Sequence, residues 1–313
     1  MQLPKPYRPT NASRRSSPSR RVSRGFEPLE DRRLLAIIPV SLYADAENPT
    51  DLDNGITLRE AITYVNTRDV PAGDLARIDL TDPLGTNDRI DFDSSVFGPN
   101  GSASKIELLH GELLIENSVV IDGSGYNVTT GMPDNSVGWE NLTIDASTYT
   151  GNTSADSDGA RIFNINMLGS STAESVEITD LSLKGGDPDD HGGAIYAGLN
   201  STGGADDLKL SRLYVYDNQS SKSGGGIYVN ADQSSLEIED VILEGNALVG
   251  DNSGSEQRLG GGAAIVSNAG NITLDKVVAR KNLATAPGLT SFNVGGGLGL
   301  DLRGEGQALL AVI

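Results

Sequence analysis

The chain of 313 residues lacks cysteine and contains only two histidines, His110 and His191. Without cysteine it has no disulfides, no thiolate metal ligands and no cysteine nucleophile. Two histidines exclude most histidine-rich metal sites and limit the catalytic triads that could form. No run of about 18 apolar residues occurs, so we expect no membrane-spanning helix.

Basic residues are scarce in most of the chain. Residues 1–36 carry nine Lys/Arg and three Asp/Glu, whereas the other residues carry 15 Lys/Arg against 40 Asp/Glu, a balance of −25. Basic side chains must neutralise phosphates when a protein binds nucleic acid, so we expect this acidic body to repel nucleic acid and anionic membranes. The composition suits solubility outside the cell and weak cation binding.

Glycine is abundant, at 38 residues, and no collagen-like triplet accounts for it. Glycine clusters follow a short pattern, apolar-x-apolar-x-x-apolar-x-apolar, that occurs four times. The copies span residues 176–183, 208–215, 236–243 and 272–279, so their starts are 32, 28 and 36 residues apart. A fixed pattern with variable spacing is typical of stacked repeats whose insertions lie in loops.

Each copy predicts two short strands separated by a bend, because alternate side chains of a strand lie on one face. The glycine clusters lead into a third alternating segment, such as residues 226–229. Three strands per repeat predict coils whose backbones pair with the coils above and below. We therefore predict an all-β fold, a parallel β-helix. Leucine-rich repeats have a shorter period and a helical segment, and a propeller blade has four strands.

Three asparagines follow the last three copies, and Gly186 occupies the same place after the first copy. Asparagine and glycine both tolerate left-handed backbone angles, so we expect them at the corners between strands. The side-chain amides are also expected to form a ladder, each bonding to the next coil, which is a structural role. The asparagines are Asn218, Asn246 and Asn282.

Residues 39–87 contain one helix signal. Thr57 and Glu60 match a capping box, in which each side chain bonds to the other residue's backbone amide. We predict a short amphipathic helix that covers the first coil, ends at Asn66 and accounts for Arg59 and Glu60 without catalysis. Its apolar face consists of Ala61, Ile62 and Val65.

Residues 1–38 predict a disordered basic leader that acts as an export signal, since arginine pairs lie among serines and prolines. Residues 26–36, FEPLEDRRLLA, resemble the LEPR-XLL element that heads large surface and secreted proteins of planctomycete-type bacteria. The resemblance implies a sorting signal.

Two further resemblances concern the fold. Residues 56–61, ITLREA, resemble the CSLREA motif found before β-helical regions of bacterial surface proteins, with Ile56 and Thr57 in place of cysteine and serine. From residue 88 onward the chain resembles choice-of-anchor Q and polymorphic outer membrane proteins, and residues 192–195, GGAI, match a motif of the latter. These resemblances imply a right-handed parallel β-helix over about residues 88–313.

The loop Asp187-Pro-Asp189-Asp190-His191 is the candidate site, because it brings three carboxylates and an imidazole to a corner. Polysaccharide lyases and hydrolases of this fold carry acidic residues and calcium on one face, so Asp187, Asp189, Asp190 and His191 are candidate catalytic residues. The three aspartates are also candidate calcium ligands. Ordinary turn chemistry of Asp, Pro and Gly is nevertheless the favoured explanation of such a loop.

A second acidic group, Asp206, Asp207 and Asp217, could bind a cation. No Lys or Arg recurs in register with these acids, so a lyase would lack its base. The glycine clusters do not predict a phosphate cradle, because strands rather than helices follow them.

The expected function is that of a secreted or cell-surface repeat protein, a non-enzymatic adhesion or structural module that contacts extracellular polysaccharide or other surface proteins. The alternative is a polysaccharide lyase or glycosidase that uses a carboxylate cluster, with calcium as its cofactor. The expected location is the surface or outer membrane of a Gram-negative, planctomycete-type bacterium. Residues 308–313 are apolar with no polar cap, so we expect a repeat array truncated at residue 313, or end-to-end association.

Overall fold

The computed structural model describes residues 36–45, 55–80, 84–85, 88–98, 104–127, 129, 132–133, 135, 137–149, 159–167, 172–199, 205–249, 258–285, 293–303 and 310–312. Within them the chain forms one helix, α1 (Leu58–Thr67), and 26 strands. The strands before the regular repeats are β1 (Ile37–Val40), β2 (Asp88–Asp93), β3 (Lys105–Glu107), β4 (Leu113–Ile115), β5 (Val119–Asn127), β6 (Met132–Pro133), β7 (Thr143–Asp145) and β8 (Phe163–Asn166).

The repeats contain the remaining strands. The first two repeats form β9 (Ser175–Thr179), β10 (Ser182–Lys184), β11 (Ile195–Leu199), β12 (Asp207–Ser211), β13 (Tyr214–Tyr216), β14 (Gln219–Ser220) and β15 (Ile227–Ala231). The later ones form β16 (Ser235–Glu239), β17 (Ile242–Glu244), β18 (Ala247–Leu248), β19 (Arg258–Leu259), β20 (Ala263–Asn268), β21 (Asn271–Asp275), β22 (Val278–Arg280), β23 (Leu283–Ala284), β24 (Asn293–Val294), β25 (Leu298–Arg303) and β26 (Leu310–Val312).

These strands build three large parallel sheets. Sheet A has the order β1-β2-β5-β9-β12-β16-β21-β26, sheet B the order β3-β7-β10-β13-β17-β22, and sheet C the order β4-β8-β11-β15-β20-β25. Two small sheets have the orders β14-β18-β23 and β19-β24. Neighbouring strands are parallel, except that β6 pairs antiparallel with the end of β5. The predicted all-β class is confirmed.

Each repeat contributes one strand to each large sheet and stacks in register on the next repeat. The repeat β12, β13 and β15 pairs strand for strand with β16, β17 and β20. In sheet A this register aligns Leu210 with Ile238 and Ile238 with Leu274. The predicted parallel pairing of successive repeats is confirmed, whereas the later repeats contain one or two short strands of the small sheets in addition to the predicted three.

The apolar positions of the pattern form the core, except that in the fourth copy Val277 is half-buried and Ala279 is exposed. Leu210, Ile238 and Leu274 are at most 3% exposed and belong to one continuous cluster of buried side chains. Removing such a side chain from water is worth about 1.5–3 kcal/mol. Because these buried residues recur in successive repeats, the same alternation that predicts the strands also provides the energy that stacks them.

The corners differ from the prediction for asparagine. The left-handed residues at the bend inside the pattern are Asp180, Arg212, Asp240 and Lys276, with φ between 49° and 59°. At the next corner the left-handed residue is the one before each asparagine, such as Asp217 with φ 51°. The expectation that the asparagines adopt this conformation is wrong, because their place is determined by side-chain hydrogen bonds.

The predicted asparagine ladder is confirmed. Asn246 Oδ1 accepts hydrogen bonds from the backbone N–H and the amide of Asn218, at 3.1 and 2.9 Å. Asn282 Oδ1 accepts the equivalent pair from Asn246, at 2.9 and 3.1 Å. Asn218 Oδ1 then accepts from the N–H of Gly186. Each side chain therefore satisfies a backbone N–H of the neighbouring repeat at the corner between sheet B and the small sheet β14-β18-β23.

Close backbone contact explains the glycine clusters. Gly224 has φ 70°, a left-handed angle that glycine adopts without steric cost. A Cβ at Gly225 would lie 2.2 Å from the carbonyl oxygen of Gly261 in the next coil. The stacking of coils at this corner therefore requires residues without side chains.

Helix α1 begins at the predicted capping box. Thr57 Oγ1 accepts from the N–H of Glu60, and Glu60 accepts from the N–H of Thr57 at 2.8 Å. The buried face contains the predicted Ala61, Ile62 and Val65, which join the same core as β1 and β2. Strand β1 starts at Ile37, so the first strand includes two residues assigned to the leader.

Two expectations for the helix are wrong. It ends one residue beyond Asn66, at Thr67, with Arg68 in the left-handed conformation as its cap. The side chain of Asn66 instead bonds to the backbone of β4 and the residue after it, donating to Leu114 O at 2.7 Å. Arg59 is not explained by capping, because it pairs with Asp45 and donates to two carbonyl groups just before β4.

Candidate functional site

The predicted site loop lies between β10 and β11, where the chain passes from sheet B to sheet C. Asp189 is exposed, whereas Asp187, Asp190 and His191 are half-buried. The backbone of Asp187 bonds to the previous coil, donating to Ala160 O and accepting from Gly159 N–H. Asp190 and His191 contact side chains of the neighbouring repeats. Asp187 and Asp189 are not part of this set of contacts.

The group around Asp190 and His191 will be called the Tyr196 cluster. It lies where successive coils enter sheet C and continues along the outer side of that sheet. Its members are Glu112, Arg161, Asn164, Asp190, His191, Tyr196, Lys222 and Tyr228.

Charges of alternating sign run through the cluster from one coil to the next. Arg161 Nη1 lies 2.6 Å from a carboxylate oxygen of Glu112, and its Nη2 lies 3.6 Å from Asp190. Lys222 Nζ contacts the other oxygen of Asp190 at 2.9 Å. Each cation therefore lies against a carboxylate, and each carboxylate against a cation.

Arg161 holds the cluster together from within. Its side chain is only 6% exposed, and its Nε and Nη2 donate to the carbonyl groups of His191 and Gly192. A buried guanidinium is costly unless its donors are satisfied, and here carbonyl and carboxylate oxygens accept them. The corner before β11 is thus fixed onto the preceding coil.

Aromatic rings extend the cluster along sheet C. Tyr196 and Tyr228 occupy equivalent places in adjacent strands, and their rings stack at 5.6 Å with 10° between their planes. His191 stacks on Tyr228 at 4.2 Å, while the guanidinium of Arg161 lies 5.0 Å from the centre of the Tyr196 ring. His191 Nδ1 accepts from the N–H of Ser223 at 3.0 Å, which fixes the orientation of this ring.

The electrostatics keep Asp190 charged. Burial raises the pKa of this carboxyl, but the hydrogen bond from Lys222 and the charges of His191 and Lys222 outweigh it and leave the pKa below its ordinary value. The pKa of Tyr196 is raised, first by burial and then by the charge of Asp190. Near neutral pH the cluster therefore offers a carboxylate and a neutral phenol, and neither is poised to exchange a proton.

Basic residues accompany the candidate loop, since Arg161 and Lys222 both contact Asp190. In the second acidic group, Asp206 is buried and accepts from the N–H of Glu174 at 3.0 Å. Among the residues that the structure describes, no three Asp, Glu or His side chains are placed to share a metal ion.

Several members of the cluster were missed from the sequence. Tyr196 and Tyr228 could have been found, because each follows the first isoleucine after a glycine cluster, 32 residues apart. Arg161 and Glu112 could not, because they lie in irregular coils before the recognisable repeats. Their meeting depends on loop lengths that the pattern does not fix.

Comparisons with known proteins identify no relative: no protein-family model, no curated protein and no solved structure matches the chain. Within the described parts of the chain, no helix has the length and apolar character needed to cross a membrane.

Proposed function

We propose that this chain is a right-handed parallel β-helix that acts as a non-enzymatic module of the cell surface and contacts carbohydrate through the outer side of sheet C. The progression of each repeat through sheets A, B and C, with parallel pairing to the next repeat, supports the β-helix. In such a coil, inward positions serve packing and outward positions are available for contacts.

The observation that carries the function is the Tyr196 cluster. It combines aromatic rings with hydrogen-bonding groups on the outer side of a rigid sheet, and sugars present apolar C–H faces beside hydroxyl groups. Rings and planar polar groups match both features. The backbone pairing of β8, β11 and β15 fixes these side chains before any ligand arrives, which lowers the entropic cost of binding.

The proposed location depends on residues 1–36. The arginine-rich leader and the resemblance to the LEPR-XLL element support export to the surface of a planctomycete-type bacterium. Residues 26–35 of that element lie outside the described residues. The resemblance to CSLREA, choice-of-anchor Q and polymorphic outer membrane proteins supports the same location and an adhesive or structural role.

One observation favours the alternative, a polysaccharide lyase or glycosidase. Asp190, Arg161 and Lys222 gather on one side of adjacent coils, as an enzyme of this class would require. A glycosidase needs one carboxyl with a raised pKa as its acid. The pKa of Asp190 is lowered instead, so we place the non-enzymatic role first.

The test is a binding assay of the full chain against a panel of neutral and acidic polysaccharides by isothermal titration calorimetry, with and without calcium. We expect binding of at least one polysaccharide by the wild type. Replacing both rings, Tyr196→Ala with Tyr228→Ala, should weaken it about a hundredfold, since losing a buried aromatic contact typically costs 1–3 kcal/mol. Tyr43→Ala is the matched control, because Tyr43 is 58% exposed and lies outside the cluster.

Two results would overturn the proposal. One is that no polysaccharide binds, or that the double variant binds as well as the wild type while its circular dichroism is unchanged. The other is enzymatic turnover, seen as new reducing ends or as absorbance of an unsaturated product, that disappears in Asp190→Asn. That second result would establish the alternative.

A further inference from the structure

A second group of aromatic side chains lies on the outer side of sheet B, away from the loop considered so far. Tyr214 and Tyr216 flank the buried Val215 in β13, so both point outward. In the neighbouring strands, Ser182 is aligned with Tyr214, and Lys184 with Tyr216. This group will be called the Trp139 platform, and it consists of Trp139, Lys184, Tyr214 and Tyr216.

The rings of the platform contact one another. Tyr214 and Tyr216 stack at 4.4 Å with 12° between their planes, and Trp139 meets Tyr214 edge-on at 5.8 Å. The turn that carries Trp139 is fixed to sheet B, because its carbonyl oxygen accepts from Ser182 Oγ at 2.6 Å. Trp139 is the single tryptophan of the chain, and all three rings are partly exposed. The platform is therefore a fixed aromatic surface open to solvent.

Tyr214 is held by a hydrogen bond, whereas the polar groups of Tyr216 and Trp139 can bond to a ligand. Tyr214 donates to Glu244 Oε2 at 3.0 Å. Hydrogen bonds from Lys281, Arg280 and this tyrosine lower the pKa of Glu244 to about 2, so its oxygens stay charged and occupied. In the described part of the chain, the Tyr216 hydroxyl and the Trp139 indole N–H have no hydrogen-bond partner.

Sheet B does not share the acidic excess of the body. Its strands carry three basic and three acidic residues, whereas residues 37–313 have a balance of −25. The basic residues are Lys105, Lys184 and Arg280, and the acidic ones are Glu107, Asp145 and Glu244. Repulsion from the rest of the body falls off within about 8 Å at physiological salt, so the local balance decides what binds here.

Lys184 is the one strand cation of this sheet without a carboxylate at ion-pair distance among the described residues. Lys105 pairs with Glu107, and Arg280 pairs with Glu244. Lys184 is aligned with Asp145 of β7 and helps to lower the pKa of that carboxyl, and its ammonium lies 5.8 Å from the centre of the Tyr216 ring. An ammonium held beside an aromatic ring can bind a carboxylate while the ring contacts the group that bears it.

We propose that the Trp139 platform binds an acidic glycan, a chain of sugar rings that carry carboxylates. The sugar rings would lie against the rings of Trp139 and Tyr216, and a carboxylate would accept from Lys184. This inference rests on the proposed carbohydrate-binding function, but it adds a ligand class and a second site on a different sheet.

The lone tryptophan provides the assay. Titrating the full chain with oligogalacturonate should change the fluorescence of Trp139 in a saturable way, and added salt should weaken the binding. Lys184→Met should weaken it about tenfold, as expected for the loss of a charge-assisted hydrogen bond. Lys105→Met is the matched control, since it removes a lysine of the same sheet that already has a carboxylate partner.

The inference is overturned if a neutral cello-oligosaccharide gives an equal response, if Lys184→Met titrates like the wild type, or if the fluorescence never changes. The variant without Tyr196 and Tyr228 separates the two proposals, because it should keep the fluorescence response while losing any binding at sheet C. A wild type that binds polysaccharide without a fluorescence change would refute only the platform.

Discussion

The repeats from residue 175 onward and the strands before residue 128 bury similar apolar rows but join their coils differently. In the repeats one contact recurs, as in the ladder Asn218, Asn246 and Asn282. In the earlier part each polar contact occurs once, as in the pair of Asp45 with Arg59. Regular coils spread their stability over equivalent contacts, whereas irregular coils depend on a few buried charges.

The corners show how this repetition fixes the register of the coils. Asp180, Arg212, Asp240 and Lys276 occupy one corner in successive coils, and Arg212 pairs with Asp180 as Lys276 does with Asp240. If a repeat stacked one position away from its correct neighbour, corner residues of like charge would face each other. Each exposed pair adds little stability by itself, so we interpret the alternation as selection of the correct neighbour.

The largest expected effect tests the irregular part through Asp45, whose side chain is 1% exposed. Its Oδ2 accepts from the N–H groups of Leu109 and His110, and both oxygens accept from Arg59. Asp45→Ala leaves these donors unpaired, so we expect it to lower the free energy of unfolding by about 4 kcal/mol. Urea denaturation followed by circular dichroism measures the change.

Asp45→Ala combined with Arg59→Met provides the control. If the cost arises from the stranded charge, the double variant should lose less than the sum of the single losses. Additive losses would show that Asp45 acts mainly through the backbone of residues 109–110.

A smaller effect is expected from the regular part. Asn246 is buried and bonds to the coils on both sides. Asn246→Ala removes the acceptor of the Asn218 N–H and one donor to the carbonyl group of Val215, so we expect a loss of about 3 kcal/mol. Hydrogen exchange should show faster opening in β13 and β17, the strands that precede Asn218 and Asn246.

Asn282→Ala is the matched control for the ladder, because Asn282 is only half-buried. Water can replace its bonds, so the loss should be about 1 kcal/mol. Equal losses at both positions would contradict the view that burial determines the strength of a rung.

The regular part is also the part that the sequence predicts well. Alternation of apolar residues such as Leu208 and Leu210 gives the strand, and the return of this fixed pattern after loops of variable length gives the stacking. The asparagine ladder follows because one residue type returns at one place. A strand predicted in one copy can be checked against the same positions of the other copies, whereas a strand that occurs once offers no such check.

Contacts between residues at different positions of the repeat were not predicted, because such contacts do not recur along the chain. Arg161 approaches Asp190 through a corner whose position depends on loops of different lengths. Trp139 reaches Tyr214 through a turn that occurs once in the chain. The predicted loop was correctly placed at a corner, but its partners lie in other coils, and no local pattern names them.

The last prediction concerns a buried charge of the irregular part. Asp91 is 1% exposed, and Arg89 bonds both to it and to Asp122 of the next strand. Burial raises the pKa of Asp91 from 3.8 to about 6; the bonds from Arg89 oppose this shift, and the charge of Asp122 adds to it. The folded state therefore binds this proton more tightly than the unfolded chain, and stability from this group falls as pH rises from 3.8 to about 6.

Asp91→Asn removes the ionisation and retains a hydrogen-bonding side chain. At neutral pH we expect the variant to be more stable than the wild type by about 2 kcal/mol, and the advantage should vanish in acid. Urea denaturation at a series of pH values measures both. Asp122→Asn should act in the same direction through Asp91, because it removes the neighbouring negative charge. If the stability of the wild type rises through this pH range instead, the bonds from Arg89 outweigh the cost of burial. A buried charge whose contacts occur only once would then be stabilised as well as an asparagine of the ladder.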